Sequence, residues 1–226
     1  MKNNQVLRLG GMFAILLGLA KLFSGGFYLL LSPDLRAEVP AAKFLPAFAQ
    51  NPSLLTNLFW IEALVGVLGV AVIPALSSLV EEGNEGWVRW AGSLATMGFI
   101  LSAVGYTLSI AKLPGIAAAF VKGDASTQAA LAAVWKSSID LFGLWGYGAV
   151  GLWIFIVNLS ASKRMDFPKA LAYLGIVYGI LFLLVPIGTV FKMQTPLLAA
   201  AVLGATVGPV WWIWTGMTLR SASKNI

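Results

Sequence analysis

Six long apolar runs constrain this chain more than any other feature of its sequence. Each run approaches or exceeds about 20 residues, enough for an α-helix to cross a hydrocarbon core roughly 30 Å thick. Lipid offers no hydrogen-bond partners to an open backbone, so runs of this length are helical in a membrane. A membrane β-barrel would instead show alternating segments of about 10 residues. We therefore predict an all-α integral membrane protein, a bundle of six transmembrane helices.

The overall composition argues against a soluble fold of this size. Of the 226 residues, 59% are hydrophobic and 11% are charged, and the mean hydropathy is +0.85. Soluble domains contain about 45–50% apolar and about 25% charged residues. Lipid must therefore cover part of the apolar surface, and membrane lipids are expected partners.

The limits of the spans follow from the polar links between the apolar runs. We predict spans at residues 9–31, 54–80, 87–110, 137–158, 170–190 and 196–219, in a single membrane domain that covers residues 1–226. The link 32–53 is rich in proline and long enough for a short interfacial helix. In the link 111–136, Asp124 precedes Ala-Ser-Thr-Gln and an Ala-rich stretch, a pattern typical of a helix start.

The basic residues predict the orientation. Lys and Arg are denser on one side of the predicted bundle, and the positive-inside rule places that side in the cytoplasm. The residues of that side are Lys2, Arg8, Arg89, Lys163, Arg164, Lys169, Arg220 and Lys224. We therefore expect a cytoplasmic N-terminus and a cytoplasmic C-terminus. The net charge of +6 fits basic groups beside lipid headgroups, and no basic run with interleaved aromatic residues suggests nucleic acid as a partner.

Several kinds of chemistry are missing from the sequence. The chain contains no cysteine and no histidine, which removes thiolate nucleophiles, imidazole bases and the usual ligands of zinc and haem. The motifs of zinc proteases, serine hydrolases and nucleotide-binding loops are also absent. We therefore expect no enzymatic activity, no catalytic residues, no metal site and no cofactor.

Lys21 is the most informative residue, because it lies in the middle of the first span. A charge at that depth is costly, and it usually faces the interior of the bundle and a partner. Lys21 shares one face of its helix with a stripe of small residues, which allows another helix to approach closely. The stripe consists of Gly11, Ala14, Gly18 and Gly25.

Glu62 is the expected partner of Lys21. The two residues lie about 8–10 residues from the same end of their spans, so at 1.5 Å per residue their depths differ by only about 3 Å. Asp140, near the start of the fourth span, is the second candidate partner. Lys136 lies one turn before Asp140 and could pair with it instead. The third span also has a polar side, formed by Ser102, Tyr106 and Ser109.

Two hypotheses compete for these charged residues. In the first, Lys21, Glu62 and Asp140 line a polar cavity that binds or translocates a small charged or amphipathic ligand. In the second, Lys21 and Glu62 form a buried ion pair that holds the helices together. The protein would then be a structural or accessory subunit whose partners are other membrane subunits or further copies of the chain. A lipid enzyme, with Asp140 as its carboxylate, is a third hypothesis.

Two further patterns concern packing and family. Gly175-xxx-Gly179 and Gly204-xxx-Gly208 are predicted to pack against neighbouring helices.

A basic turn followed by Phe167-Pro-Lys-Ala-Leu-Ala-Tyr-Leu-Gly-Ile-Val-Tyr-Gly179 resembles a family of prokaryotic multi-pass proteins of similar length, which is known only as a domain of unknown function. The resemblance covers the C-terminal third. It implies a multi-pass protein of the cell inner (cytoplasmic) membrane, and it implies no substrate and no catalytic residues.

Overall fold

The structure, a computed structural model, describes residues 2–36, 39–136, 139–140 and 143–224, with residues 2 and 3 described by their backbone alone. All regular secondary structure in this part of the chain is helical. A 3-10 turn spans Pro33–Leu35, and a π-helix (Leu144–Ala149) leads directly into α6. The α-helices are α1 (Lys2–Leu30), α2 (Ala41–Gln50), α3 (Ser53–Val80), α4 (Glu85–Lys122), α5 (Ala125–Val134), α6 (Val150–Ala161), α7 (Lys169–Val190) and α8 (Gln194–Ala222).

Six helices of the described part are long and apolar enough to cross a membrane. They are α1, α3, α4, α7, α8 and the continuous helix Leu144–Ala161, which joins the π-helix to α6. The prediction of a multi-pass helical membrane protein with six candidate spans is confirmed at this level. The cytoplasmic placement of the two termini stays a prediction.

The six spans form a closed ring in chain order. Each span packs against the next, and α8 packs back against α1. Because successive spans run in opposite directions, α1 begins and α8 ends on the same side, which we call the terminal face. The opposite side, which carries α2 and α5, is called the α2 face.

The predicted small-residue stripe of α1 forms the contact with α8. A Cβ atom at Gly11 would overlap the backbone of Gly216, and one at Gly18 would overlap Ile213. Among the described residues, no side chain and no backbone of another element lies within 4 Å of such a position at Gly25. The stripe therefore brings α1 and α8 together over its first half only, between Lys21 and the terminal face.

The glycines of α7 and α8 pack as predicted, with one exception. Gly175 faces the side chain of Asn158, and Gly179 lies against the backbone of α6. Gly208 packs on the phenol of Tyr178. The prediction was wrong for Gly204, which has open space where a Cβ would lie. This part of α8 faces away from its neighbours, which the four-residue spacing alone could not show.

Buried tryptophans fill the terminal half of the ring. Trp153, Trp211 and Trp212 are no more than 1% exposed. The indole N–H of Trp153 donates to Ser77 Oγ at 3.2 Å, and that of Trp211 donates to Asn158 Oδ1 at 3.3 Å. Each large ring thus keeps a partner for its one polar group, as burial of tryptophan requires.

The third span extends far beyond the predicted end at residue 110. α4 has 38 residues, about 57 Å at 1.5 Å per residue, nearly twice the hydrocarbon thickness of roughly 30 Å. Its last turns continue as helix because they have packing partners on the α2 face. Leu113 and Phe120 of α4 share a buried cluster with Phe44 and Phe48 of the amphipathic helix α2. The short helix predicted within the link 32–53 is this α2.

The start of α5 was predicted correctly. The carboxylate of Asp124 accepts the backbone N–H of Thr127 at 2.9 Å. This N-cap hydrogen bond stabilises the charged carboxylate and lowers the pKa of Asp124 below its usual value.

The fourth span begins later than predicted. Its helix starts at Leu144 and ends at Ala161, where the prediction was 137–158. Of the seven additional residues, 137, 138, 141 and 142 lie outside the described part of the chain. Gly143 adopts a left-handed conformation with φ 68°, which interrupts any helix that enters from the N-terminal side. This turn sets the first residue of the span.

We predict that the α1–α8 contact tolerates no side chain at Gly216. Gly216→Ala places a Cβ against the carbonyl oxygen of Gly11, and overpacking of this kind costs about 1–3 kcal/mol. Thermal unfolding in a mild detergent should therefore show a lower Tm. Gly204→Ala in the same helix is the control and should unfold at or above the wild-type Tm, since alanine favours helix by up to about 1 kcal/mol. Equal Tm values for the two variants would contradict the packing.

Candidate functional site

Lys21 and Glu62 form the ion pair that their depths predicted. Lys21 Nζ lies 2.7 Å from Glu62 Oε2, and the side chains are 23% and 14% exposed. Lys21 lies nine residues before the end of α1, and Glu62 lies nine residues after the start of α3. The pair is therefore about 13 Å below the ends of both helices on the α2 face.

The ion pair lines a small cavity inside the ring. The cavity has a volume of about 40 Å³. A water molecule needs about 10–15 Å³ measured in this way, so the space suits about two to four waters. Its wall is formed by Leu17, Lys21, Glu62, Val65, Gly66, Phe99, Ser102, Tyr106, Gly146, Tyr147, Val150, Tyr178, Phe182 and Trp212. Every span of the ring contributes at least one of these residues.

Four hydroxyl groups accompany the ion pair on the cavity wall. Ser102 and Tyr106 come from α4, Tyr147 from the π-helix and Tyr178 from α7. The side chains of Tyr106 and Tyr147 line the cavity together. Tyr178 Oη accepts the indole N–H of Trp212 at 3.3 Å. Donors and acceptors therefore surround the pair from the side opposite α1 and α3.

The cavity coincides with the π-helix of the fourth span. Gly146 and Tyr147 are the third and fourth residues of the π-helix, and the N–H of Gly148 donates to the carbonyl oxygen of Gly143 at 3.0 Å. A π-helix is wider than an α-helix, and such segments occur frequently at functional sites. The absence of a side chain at Gly146 leaves room for Ser102, because a Cβ there would overlap its hydroxyl group.

Asp140 holds the start of this π-helix. One carboxylate oxygen accepts the backbone N–H of Gly146 at 2.6 Å, and both oxygens lie within 3.2 Å of the Trp145 nitrogen. A carboxylate that receives the free N–H groups of a helix start satisfies donors that otherwise lack partners. Asp140 lies behind the cavity wall rather than on it, so its contacts with the backbone position Gly146 and Tyr147.

Aromatic residues close the cavity towards the terminal face. Trp212 forms part of its wall and lies 6.4 Å, between ring centroids, from Phe99 and from the buried Trp153. On the other side, the ring of Phe182 lies 5.3 Å from Tyr147 and 4.7 Å from Tyr178. The polar groups thus face a pocket whose floor is apolar and tightly packed.

The three residues predicted from the sequence have different places in the structure. Lys21 and Glu62 meet in the cavity, and Asp140 supports the backbone beside it. The polar side of α4 was predicted, and Ser102 and Tyr106 of that side are on the cavity wall. Tyr178 was missed, although a tyrosine within an apolar span carries a hydroxyl group that requires a partner.

The chain matches the family described as "Domain of unknown function (DUF4386)" over residues 7–215. It belongs to this family. The resemblance predicted from the C-terminal third is confirmed and extends over nearly all of the sequence. No curated protein and no solved structure shows a significant match. The DUF4386 match includes all cavity residues, from Leu17 to Trp212, and its description assigns no activity to them.

In this DUF4386 protein we predict that Asp140→Ala destabilises the bundle. Loss of a side chain that binds the free N–H groups of a helix start typically costs about 0.5–2 kcal/mol, and Asp140 supports a helix start that packs on both α4 and α7. The matched control is Asp124→Ala, which removes the N-cap of α5, a helix without buried residues. The Tm should fall in the first variant only, because α5 can fray without the bundle. An unchanged Tm for Asp140→Ala would contradict the positioning role.

Proposed function

We propose that the protein is a membrane receptor or carrier that binds a small charged or amphipathic ligand in the Lys21–Glu62 cavity. The observation that carries this proposal is the concentration of polar groups. One ammonium, one carboxylate and four hydroxyl groups meet in a single cavity of a largely apolar ring. Ionisable residues inside a membrane mark ligand or ion pathways more often than packing.

The chemistry of the wall limits the ligand. An anionic group would compete with Glu62 for Lys21 Nζ, and a cationic group would compete with Lys21 for the carboxylate. The hydroxyl groups of Tyr106 and Tyr147 can donate or accept hydrogen bonds to either. Phe182 and Trp212 offer an apolar surface for the remainder of an amphipathic molecule. The volume of about 40 Å³ means that anything larger than a few waters must widen the cavity.

Binding has more support than translocation. Trp153, Trp211 and Trp212 lie between the cavity and the terminal face, and they are fully buried. A ligand that crossed the membrane would have to displace these rings and break their hydrogen bonds to Ser77, Asn158 and Tyr178. Ligand entry from the α2 face requires no such change to the tryptophan cluster.

A cysteine accessibility experiment tests whether the cavity is hydrated. The chain has no cysteine, so Ser102→Cys introduces a single thiol on the cavity wall. Proteoliposomes are treated with a small, water-soluble methanethiosulfonate, which reacts with the thiolate. If the cavity is hydrated, the thiol should react at least about tenfold faster than a thiol in a dry core. Burial raises the pKa of a thiol, and each unit of that increase lowers the thiolate fraction tenfold.

Ser77→Cys is the matched control for this experiment. Ser77 is 8% exposed and bonded to Trp153 in the packed terminal half, so its thiol should react slowly. Equal rates at the two positions would mean that the cavity is no more accessible than the core, and the proposal would fail. Small charged molecules that slow the reaction at position 102 would be candidate ligands.

The thermal stability of Lys21→Met, Glu62→Gln and the double variant separates a ligand site from a structural ion pair. We expect each single variant to unfold within about 1 kcal/mol of wild type, because cavity water and the tyrosine hydroxyls can solvate the remaining polar group. A fully buried pair would behave differently: each single change would cost about 3–5 kcal/mol, and the double variant would recover. That pattern would favour the structural subunit.

A further inference from the structure

Two arginines share a cleft on the terminal face, far from the central cavity. Arg8 in the second turn of α1 and Arg220 in the last turn of α8 line this cleft together with Gln5, Leu9 and Met12. The cleft has a volume of about 530 Å³. Both arginines are exposed, and they lie where α1 and α8 leave the apolar part of the ring.

Neither guanidinium group forms a hydrogen bond or an ion pair with residues 4–36, 39–136, 139–140 and 143–224. The other arginines of the terminal face do: Arg89 pairs with Glu81 at 3.3 Å, and Arg164 pairs with Glu82 at 3.0 Å and with Asp166 at 2.9 Å. Three carboxylates of this face are thus engaged with Arg89 and Arg164. Two guanidinium groups on one cleft repel each other unless an anion lies between them.

Close packing of α1 and α8 holds the two arginines on this cleft. The aliphatic stem of Arg220 lies against Gly11, where a Cβ would overlap its Cγ. Gly11 is one turn from Arg8 on the same helix, so the α1–α8 contact brings both side chains to one place. Guanidinium groups bind phosphate oxygens through paired, parallel hydrogen bonds, which makes two adjacent arginines well suited to a phosphate.

An apolar stripe on α1 continues from the arginines towards the middle of the membrane. Its residues follow each other at intervals of three and four, and each is at least 40% exposed. The stripe runs about 21 Å along the helix axis, longer than the roughly 15 Å depth of one leaflet. It consists of Leu9, Met12, Leu16, Leu19 and Phe23.

We propose that the cleft between α1 and α8 is a binding site for an anionic phospholipid. The phosphate of the headgroup is held by Arg8 and Arg220, with Gln5 as a neutral donor, and one acyl chain lies along the stripe that begins at Leu9. A zwitterionic phospholipid carries a quaternary ammonium beside its phosphate, which the two positive charges repel. The site therefore selects lipids with a net negative charge, as basic clefts between transmembrane helices do.

Native mass spectrometry of the delipidated protein in detergent measures this selectivity. The probes are phosphatidylglycerol and phosphatidylcholine with identical acyl chains. We expect the wild type to bind phosphatidylglycerol more tightly than phosphatidylcholine. Arg8→Gln should lower the affinity for phosphatidylglycerol about 5-fold, since one basic residue contributes about 1 kcal/mol. The double variant Arg8→Gln/Arg220→Gln should lower the affinity for phosphatidylglycerol about 30-fold and abolish the preference over phosphatidylcholine.

Arg89→Gln is the control, because it removes one positive charge from the same face at a residue that is paired with Glu81. It should leave the affinity for phosphatidylglycerol within about twofold of wild type, since an exposed pair contributes little to its surroundings. The side chain of Arg8 has no hydrogen bond and no ion pair with a described residue, so Arg8→Gln carries the test even if the double variant unfolds. Equal losses in Arg8→Gln and Arg89→Gln would overturn the site, and so would a wild type without lipid preference.

A competition experiment distinguishes a lipid from a free anion. Inorganic phosphate at millimolar concentration should not displace phosphatidylglycerol, because it cannot use the apolar stripe. Phe23→Ser, at the far end of the stripe, should lower the affinity for phosphatidylglycerol but keep the preference for a negative headgroup. Displacement by phosphate alone would mean that the arginines bind a soluble anion and that the lipid assignment is wrong.

Discussion

Hydrocarbon offers no hydrogen bond to a polar group, and most of this structure can be understood from that constraint. It makes the apolar runs helical, so that their backbones satisfy themselves. It also governs the polar side chains within the spans. Trp153 bonds to Ser77, Trp211 to Asn158, and Trp212 to Tyr178. The ion pair of Lys21 and Glu62 belongs to the same scheme, since the two charges neutralise each other at 2.7 Å.

Close packing between helices is the second interaction that stabilises the ring. Because lipid tails are as apolar as leucine, membrane helices gain little from burying apolar surface against one another, and small residues allow the close contacts that hold them. Gly11 against Gly216 joins α1 to α8, and Gly179 against the backbone of α6 joins the fourth and fifth spans. The ring closes through these contacts. A small polar cavity remains beside the π-helix, where Gly146 leaves room for the hydroxyl group of Ser102.

The two proposed sites use this architecture differently. The central cavity gathers one or more side chains from every span, so it depends on the whole ring and on the turn at Gly143 and Asp140 that places the π-helix. The lipid cleft needs only the α1–α8 contact, which sets Arg220 beside Arg8. Substitution of the two cleft arginines should leave the cavity intact, because the tightly packed tryptophans lie between the cavity and the terminal face.

The sequence by itself determined the class of protein, the six candidate spans and the Lys21–Glu62 pair. Helicity in lipid depends on length and apolarity, which are local properties. The match in depth follows from the constant rise of an α-helix. The start of α5 was predictable for a similar reason, since the N-cap at Asp124 acts within one turn.

Only the tertiary structure decided what depends on the order and rotation of the helices in the ring. Tyr147 and Tyr178 reach the cavity because the fourth and fifth spans face its centre, and Gly204 is open because its side of α8 does not. α4 continues to Lys122 because α2, distant in the sequence, covers its end. Arg8 and Arg220 are 212 positions apart in the sequence and meet through ring closure alone. Such contacts arise from packing between distant segments, which no local pattern records.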